Sequence, residues 1–138
     1  MIKPIVKDEE FLTQLSEPFI FTTDEHIIND LIDTAEAHRG ECVGLAAPQI
    51  GYHKRAIVVL MDDKFVLMLN PVIPSKRGER YRTREGCLSV EGARETTRYR
   101  EILVSYTDKY GKTIVKTFKG YTAQIIQHEV DHLNGILI

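Results

Sequence analysis

The sequence is short of cysteine, of net charge and of long apolar runs, and each shortage narrows the possible classes of protein. Only Cys42 and Cys87 occur among 138 residues, so at most one disulfide can form. A formal net charge of -2 gives no general attraction to nucleic acid or to an anionic membrane. The longest apolar stretches, such as 56–61, have the length of a strand, whereas a bilayer span needs roughly 20 residues.

The first ten residues also lack the apolar stretch of a secretory signal. These features predict a soluble cytoplasmic protein with no direct contact to nucleic acid or membrane. Thiols stay reduced in the cytoplasm, so each cysteine is expected to be a buried apolar residue, a nucleophile or a metal ligand. For Cys42, which lies in a run of small apolar residues, we favour the buried role.

Length and composition predict one folded domain over residues 1–138. Hydrophobic residues make up 43% of the chain, which is enough for a core, and 28% charged residues argue against disorder. No linker, internal repeat or low-complexity segment divides the sequence.

Two segments show helical periodicity. Residues 25–38 repeat apolar side chains at helical spacing, with possible caps at 22–24 and Gly40 just past the end. Residues 122–134 do the same, with Thr122 as the expected N-cap and Gly135 as the stop signal.

Strand patterns lie between the two predicted helices. Residues 55–60 and 64–69 predict strands around a tight turn, and 101–107 and 112–118 predict a hairpin closed by 108–111. Pro71, Pro74 and Gly78 predict a loop. The expected fold is α+β: small antiparallel or mixed β-sheets packed around a C-terminal helix, with one N-terminal amphipathic helix.

The C-terminal helix contains the pattern His128-Glu129-Val-Asp-His132. Histidines four residues apart share one helical face, so both imidazoles can reach one metal ion, and Glu129 lies near enough to act on bound water. Two solvent-facing histidines on a polar helix would give the same pattern. Placement on a capped, amphipathic helix favours the metal site.

A third ligand is expected upstream of this pair. The six residues after His132 contain no histidine and no side-chain carboxylate. The candidates are therefore Cys42, Cys87, the other histidines and the upstream carboxylates. Cys87 follows a glycine, which gives the backbone room for a close approach, although a buried apolar role is the commoner fate of a free cysteine.

Three segments together resemble the peptide deformylase family. They are Gly44-Leu-Ala-Ala-Pro-Gln49, Glu85-Gly-Cys-Leu-Ser89 and Gln127-His-Glu-Val-Asp-His132, in that order. The resemblance extends over nearly the whole chain. It implies a hydrolase that removes the formyl group from formyl-methionyl nascent polypeptides, met at the ribosome, and releases formate.

The resemblance also implies a role for each matching residue. Cys87, His128 and His132 would hold the metal, and water in the fourth position would attack the formyl carbon. Glu129 would be the general acid/base, while the Gln49 side chain and the Leu88 N–H would stabilise the oxyanion. Family resemblance favours iron(II), and a site with one thiolate also suits zinc, nickel or cobalt. Iron beside a thiolate would make the activity sensitive to oxygen.

Substrate binding is expected to use strand addition along residues 43–45, with Gly44 and Gly86 presenting backbone to the peptide. An apolar pocket for methionine would include Val43, Leu88, Ile125 and the His128 ring. The sequence departs from the family at three positions near this region: Cys42 replaces a usual glycine, and Tyr121 and Gln124 replace residues that are commonly apolar.

Two other functions remain open from the sequence. A metallopeptidase or other metal amidase would use the same ion, but its usual downstream ligand is missing and the Cys87 motif is complete. A non-catalytic homologue would bind metal without turnover. Formate release, assayed beside cleavage of unformylated peptides, separates a deformylase from a peptidase, and metal binding without turnover would indicate the non-catalytic homologue.

Overall fold

The computed structural model describes residues 1–137. Their regular elements are α1 (Glu9–Leu12), α2 (Phe21–Ala37), β1 (Gly44–Ala46), β2 (Ala56–Met61), β3 (Lys64–Cys87), β4 (Val90–Thr107), β5 (Thr113–Lys119) and α3 (Gly120–Leu133), with a 3₁₀ turn at Ala47–Ile50. The strands of this part of the chain form a five-stranded antiparallel sheet in the order β1-β2-β3-β4-β5. An α+β fold with a C-terminal helix is therefore confirmed, with one antiparallel sheet in place of several small ones. None of the helices described is long and apolar enough to cross a membrane.

Helices α2 and α3 cover opposite faces of the sheet, which explains the uninterrupted apolar run of β2. Alternate strand residues point to opposite faces. Ala56 and Val58 belong to the core cluster with Leu31 of α2, whereas Ile57 and Val59 belong to the cluster with Ile126 of α3. Both sets are fully buried, so residues 56–59 of β2 have no solvent-facing side and no polar alternation.

Strand β3 is much longer than its sequence pattern predicts. The expected loop at Pro71, Pro74 and Gly78 is wrong, because the strand continues through these residues to Cys87. Register shifts between Leu69 and Val72, between Val72 and Ser75 and between Arg77 and Arg80 interrupt the pairing with β4. Prolines and glycines are tolerated at such bulges, where the regular hydrogen bonding of the ladder is already broken.

The helices begin earlier than expected. Helix α2 starts at Phe21, so residues 22–24 lie inside it, and Asp24 accepts a hydrogen bond from the Ile20 N–H at 2.8 Å. Helix α3 starts at Gly120 after Lys119, so Thr122 is not its cap. Gly135 does end α3, in the left-handed conformation (φ 73°) that favours glycine.

The predicted hairpin of β4 and β5 is confirmed, with turn hydrogen bonds between Asp108 and Gly111. The short helix α1 has no counterpart among the predicted elements.

Candidate metal centre and substrate cavity

Three potential metal-ligand atoms converge where the end of β3 meets α3. The sulfur of Cys87 lies 3.3 Å from Nε2 of His132, and the Nε2 atoms of His132 and His128 are 3.2 Å apart. One ligand atom from each of the three residues lies within 4.8 Å of the other two. The structure thus brings together the three residues that the family resemblance implies.

The secondary structure accounts for this convergence. Cys87 is the last residue of β3 and pairs with Val90 across the tight turn into β4. His128 and His132 are one helical turn apart on α3. Both histidines and the cysteine face the same point because α3 packs against the sheet beside this turn.

The spacing of the three atoms fits a tetrahedral ion. Ligands bound at about 2.0 Å for nitrogen and about 2.3 Å for sulfur would be separated by roughly 3.3 Å (nitrogen to nitrogen) and roughly 3.6 Å (nitrogen to sulfur). The observed separations of 3.2 and 3.3 Å are close to these values. A thiolate and two imidazoles are also a donor set that suits zinc or iron.

A buried ion-pair network orients His128. Its Nδ1 contacts Oε1 of Glu85 at 2.7 Å, which leaves Nε2 free to face the cluster. Arg98 donates to both oxygens of Glu85, at 3.0 and 2.7 Å, and to Asp131 at 2.6 Å. Such partners fix the tautomer and ring direction of metal-bound histidines.

The charges of this network act on the pKa values of the cluster. Burial acts to raise the pKa of Glu85, but hydrogen bonds from His128 and Arg98 outweigh it and lower that pKa to about 2. Burial also acts to lower the pKa of His128, but hydrogen bonds with Cys87 and Glu85 raise it to about 10. Burial and the charge of His128 lower the pKa of His132 to about 3. The ionised carboxylate of Glu85 therefore lies between the His128 ring and the guanidinium of Arg98.

Glu129 lies beside the cluster in an enclosed position. Its side chain is 4% exposed, and within residues 1–137 its Oε1 has no hydrogen-bond partner. Burial raises the pKa of Glu129 to about 7. The carboxyl packs directly over the backbone of Gly44, where an added Cβ would lie 2.7 Å from its Oε2. Gly44 is thus explained by this close approach and not by an unusual backbone angle.

The Gln49 amide is held in one orientation. Its Oε1 accepts the Ala46 N–H at 2.9 Å, so its Nε2 is directed toward Cys87 Sγ and Ser89 Oγ, both at 3.2 Å. Gln49 is 2% exposed and lies in the 3₁₀ turn that follows β1. A side-chain amide donor is therefore positioned next to the three potential ligands.

A cavity of about 580 Å³ opens over these groups. This volume is typical of small-molecule and peptide pockets. The residues predicted from the sequence to bind substrate all line it: Val43, Gly44, Gly86, Leu88 and Ile125. Tyr121 and Gln124 line it as well.

Cys42 also lines the cavity and is only half-buried, so the expectation of a fully buried residue is wrong. It lies outside the group of three potential ligands. Burial raises the pKa of its thiol to about 11, with further contributions from nearby carboxylates. Cys42 is therefore a neutral thiol on the cavity wall.

Strand β1 leaves one edge unpaired among the described residues. The carbonyl of Val43 accepts the Leu60 N–H of β2, whereas the Ala46 N–H points away from β2 to Gln49. Antiparallel strands direct successive residues alternately toward and away from the partner. The N–H and C=O of Gly44 therefore face the free edge.

The ion-pair network of Glu85, Arg98 and Asp131 was not among the features predicted from the sequence. Glu85 precedes Cys87 by two residues and Asp131 follows His128 by three, so strand and helix spacing could have indicated both. The neighbours of Arg98 in the sequence do not predict its role. Only the pairing of β3 with β4 places it opposite Tyr81 and within hydrogen-bond distance of Glu85.

Comparison with known proteins identifies the family. Residues 2–138 match the family model for polypeptide deformylase. The chain is 50% identical over 138 residues to a peptide deformylase of Clostridium beijerinckii, and the match covers all of both chains.

Solved structures agree with the sequence match. The actinonin-bound class I type b peptide deformylase of Acinetobacter baumannii superposes with a TM-score of 0.89 at 33% identity, covering 99% of this chain and 95% of that one. Its Met-Ala-Ser-bound form gives a TM-score of 0.88 at 31% identity, covering 99% and 96%. The chain therefore belongs to the polypeptide deformylase family of enzymes.

Proposed function

We propose that this chain acts as one catalytic domain that hydrolyses the formyl amide of formyl-methionyl nascent peptides and releases formate. The convergence of Cys87, His128 and His132 carries this proposal, because Cys87 and His128 also line a peptide-sized cavity. Membership of the deformylase family supports the reaction. The Met-Ala-Ser-bound Acinetobacter relative supports a peptide with N-terminal methionine as the product.

Cys87, His128 and His132 are the proposed ligands of one divalent ion, with iron(II) preferred and zinc, nickel or cobalt as alternatives. A thiolate and two neutral imidazoles leave one net positive charge on a divalent site, and sulfur favours these softer metals. When bound, the metal supplies Lewis acidity, which makes water a nucleophile near neutral pH. The contact between Glu85 and His128 keeps the His128 ring directed at this point.

Glu129 is the proposed general acid/base. Its carboxyl is buried beside the cluster, and this burial acts to raise its pKa and so favours the protonated form that a proton donor needs. It would take a proton from the attacking water and deliver it to the amine nitrogen as the C–N bond breaks. Delivery is needed because an amine anion is a poor leaving group.

Gln49 and the N–H of Leu88 are the proposed donors to the oxyanion that forms on the formyl carbon. The fixed amide of Gln49 supports this role, because its Nε2 is already directed at the cluster. Loss of one such donor typically costs about 3–4 kcal/mol in transition-state stabilisation.

The peptide is proposed to add to the free edge of β1. Gly44 directs its backbone groups to that edge, and Gly86 lines the cavity opposite with no side chain to obstruct it. Main-chain pairing is insensitive to side-chain identity, which suits an enzyme acting on many nascent chains. Val43, Leu88, Ile125 and the His128 ring would surround the methionine side chain.

Purification without oxygen, followed by metal analysis and a formate assay on formyl-Met-Ala, tests these assignments. We expect about one metal ion per chain and formate release, with no cleavage of unformylated peptides. Cys87→Ala should lose the metal, whereas Cys42→Ala, which changes the other cysteine, should retain it. Peptide cleavage without formate would refute the proposed reaction, and metal retained by Cys87→Ala would refute the ligand set.

A further inference from the structure

One stripe of α3 forms a wall of the cavity and has a polar residue in its middle. Tyr121, Gln124, Ile125 and His128 follow helical spacing and all line the cavity. Tyr121 lies at the rim with 61% exposure, and Ile125 is buried at 5%. Gln124 is half-buried between them, one helical turn or about 5.4 Å before His128.

Tyr81 on β3 holds the Gln124 amide. Its hydroxyl donates to Oε1 of Gln124 at 2.9 Å. The guanidinium of Arg100 lies 4.5 Å from the centroid of the Tyr81 ring, so the ring is packed from the other side. Burial raises the pKa of Tyr81, which keeps the hydroxyl protonated at neutral pH.

This contact leaves one end of the Gln124 amide available. The Oε1 atom of Gln124 accepts the Tyr81 hydroxyl, and within residues 1–137 its Nε2 atom has no hydrogen-bond acceptor. Tyr81 itself does not line the cavity, whereas Gln124 does. The wall near His128 therefore presents an N–H donor in a position flanked by apolar Ile125.

We propose that Gln124 is a specificity-determining residue whose amide N–H binds an acceptor on the first side chain of the peptide, so that the enzyme accepts methionine sulfoxide as well as methionine. The inference rests on the proposed function, which places that side chain in this cavity. Methionine has its sulfur three bonds from Cα. A peptide whose formyl group lies at His128 can therefore present the sulfur one helical turn away.

The donor has different consequences for different side chains. A thioether sulfur is a weak acceptor, and norleucine has none. The sulfoxide oxygen is a polar acceptor, and an apolar wall would bury it without a partner. A single neutral hydrogen bond corresponds to roughly three- to tenfold in affinity. The affinity order expected is sulfoxide similar to methionine, with norleucine weaker.

Tyr81 is a positioning residue in this scheme, because it acts through Gln124 and does not touch the peptide. Its removal frees the amide to rotate. We therefore expect Tyr81→Phe to reduce discrimination among the three side chains while leaving the cavity lining intact.

Calorimetric titration of the metal-loaded enzyme with three peptides tests the role of Gln124. The peptides are Met-Ala-Ser, its sulfoxide as a mixture of both epimers, and norleucine-Ala-Ser, with the formylated forms used in parallel for kcat/KM. Gln124→Leu should weaken sulfoxide binding roughly three- to tenfold relative to norleucine. Gln14→Leu and Tyr110→Phe are matched controls at exposed positions outside the cavity and should leave every ratio unchanged.

Peptide affinity tests the role of Gln124 independently of formate release, which tests the proposed reaction. Equal sulfoxide-to-norleucine ratios in wild type, Gln124→Leu and Tyr81→Phe would overturn the role of Gln124. If Gln124→Leu does not fold, unchanged ratios in Tyr81→Phe alone would overturn it. If the peptides bind in the expected order but no formyl peptide yields formate, the proposed reaction fails and the specificity role stands.

Discussion

Gly44→Ala is the substitution for which the structure predicts the clearest catalytic effect. An added Cβ would lie 2.7 Å from Oε2 of Glu129, 3.0 Å from its Cγ and 2.9 Å from Cγ2 of Ile125. Real Cβ atoms do not approach other heavy atoms this closely, so Glu129 or the strand must move. Because β1 is paired with the buried residues 57–59 of β2, the side chain of Glu129 is the more mobile partner.

The size of the effect follows from this displacement. A misplacement of about 1 Å in a reacting group can cost about 100-fold in rate. Overpacking in a tight site typically costs about 1–3 kcal/mol of stability. We therefore expect kcat for formate release from formyl-Met-Ala to fall about 100-fold, with a modest loss in the free energy of unfolding in urea.

Gly86→Ala is the matched control. It lines the same cavity, but its added Cβ would have no neighbour within 4 Å. Its free energy of unfolding should stay within about 0.5 kcal/mol of wild type, and any loss should appear in KM. A Gly44→Ala enzyme with wild-type kcat, or equal kcat losses in the two variants, would refute the contact between Gly44 and Glu129 as the reason for the glycine.

Three further predictions concern buried charges. Glu129→Gln should retain the metal but lose about 10²–10⁴ in kcat, as measured by formate release and metal analysis on one sample; near wild-type turnover would refute its acid/base role. Arg98→Met should lower the free energy of unfolding in urea by about 3–5 kcal/mol, because it removes the guanidinium that pairs with the buried Glu85 carboxylate. Arg82→Met, which breaks an exposed ion pair, should lower it by less than about 1 kcal/mol. Equal costs would contradict this assignment. Burial acts to raise the pKa of Asp24, but backbone and lysine hydrogen bonds outweigh it and lower that pKa below 3.8. The Asp24 carboxylate therefore stabilises the fold above its unfolded pKa, and this stability is lost as the pH falls through its folded pKa. Asp24→Asn should be less stable than wild type at pH 7 and as stable as wild type in strong acid, as measured by urea unfolding. A stability difference that does not change with pH would contradict this role of Asp24.

Local patterns predict part of this fold well. The one-sided apolar spacing of α2 and α3 locates both helices, since amphipathic periodicity is a local property. Their first turns are harder to place, because Asp24 caps α2 from within the helix and Lys119 precedes α3 without a capping side chain. The extension of β3 past Leu69 is not predictable from propensity, because its prolines lie at bulges defined by pairing with β4.

The candidate site also has one part that local sequence patterns predict and one part that they do not. The spacing of His128 and His132 is readable from a helix alone, and the family resemblance adds Cys87. The contacts of Arg98 with Glu85 and of Tyr81 with Gln124 join strands and helices that are far apart in the sequence. They depend on strand register and on helix docking, which no short pattern encodes.

If the three proposed ligands hold a metal, their separation along the chain would make metal loading depend on the completion of folding. His128 and His132 are neighbours on one helix, but Cys87 is 45 residues from His132. A slip of one residue in the pairing of β3 with β4 would turn Cys87 to the opposite face of the hairpin and leave the helix with two ligands. During synthesis, α3 also emerges after the entire sheet. Metal retention would therefore indicate that α3 has packed on a hairpin of β3 and β4 with the correct register.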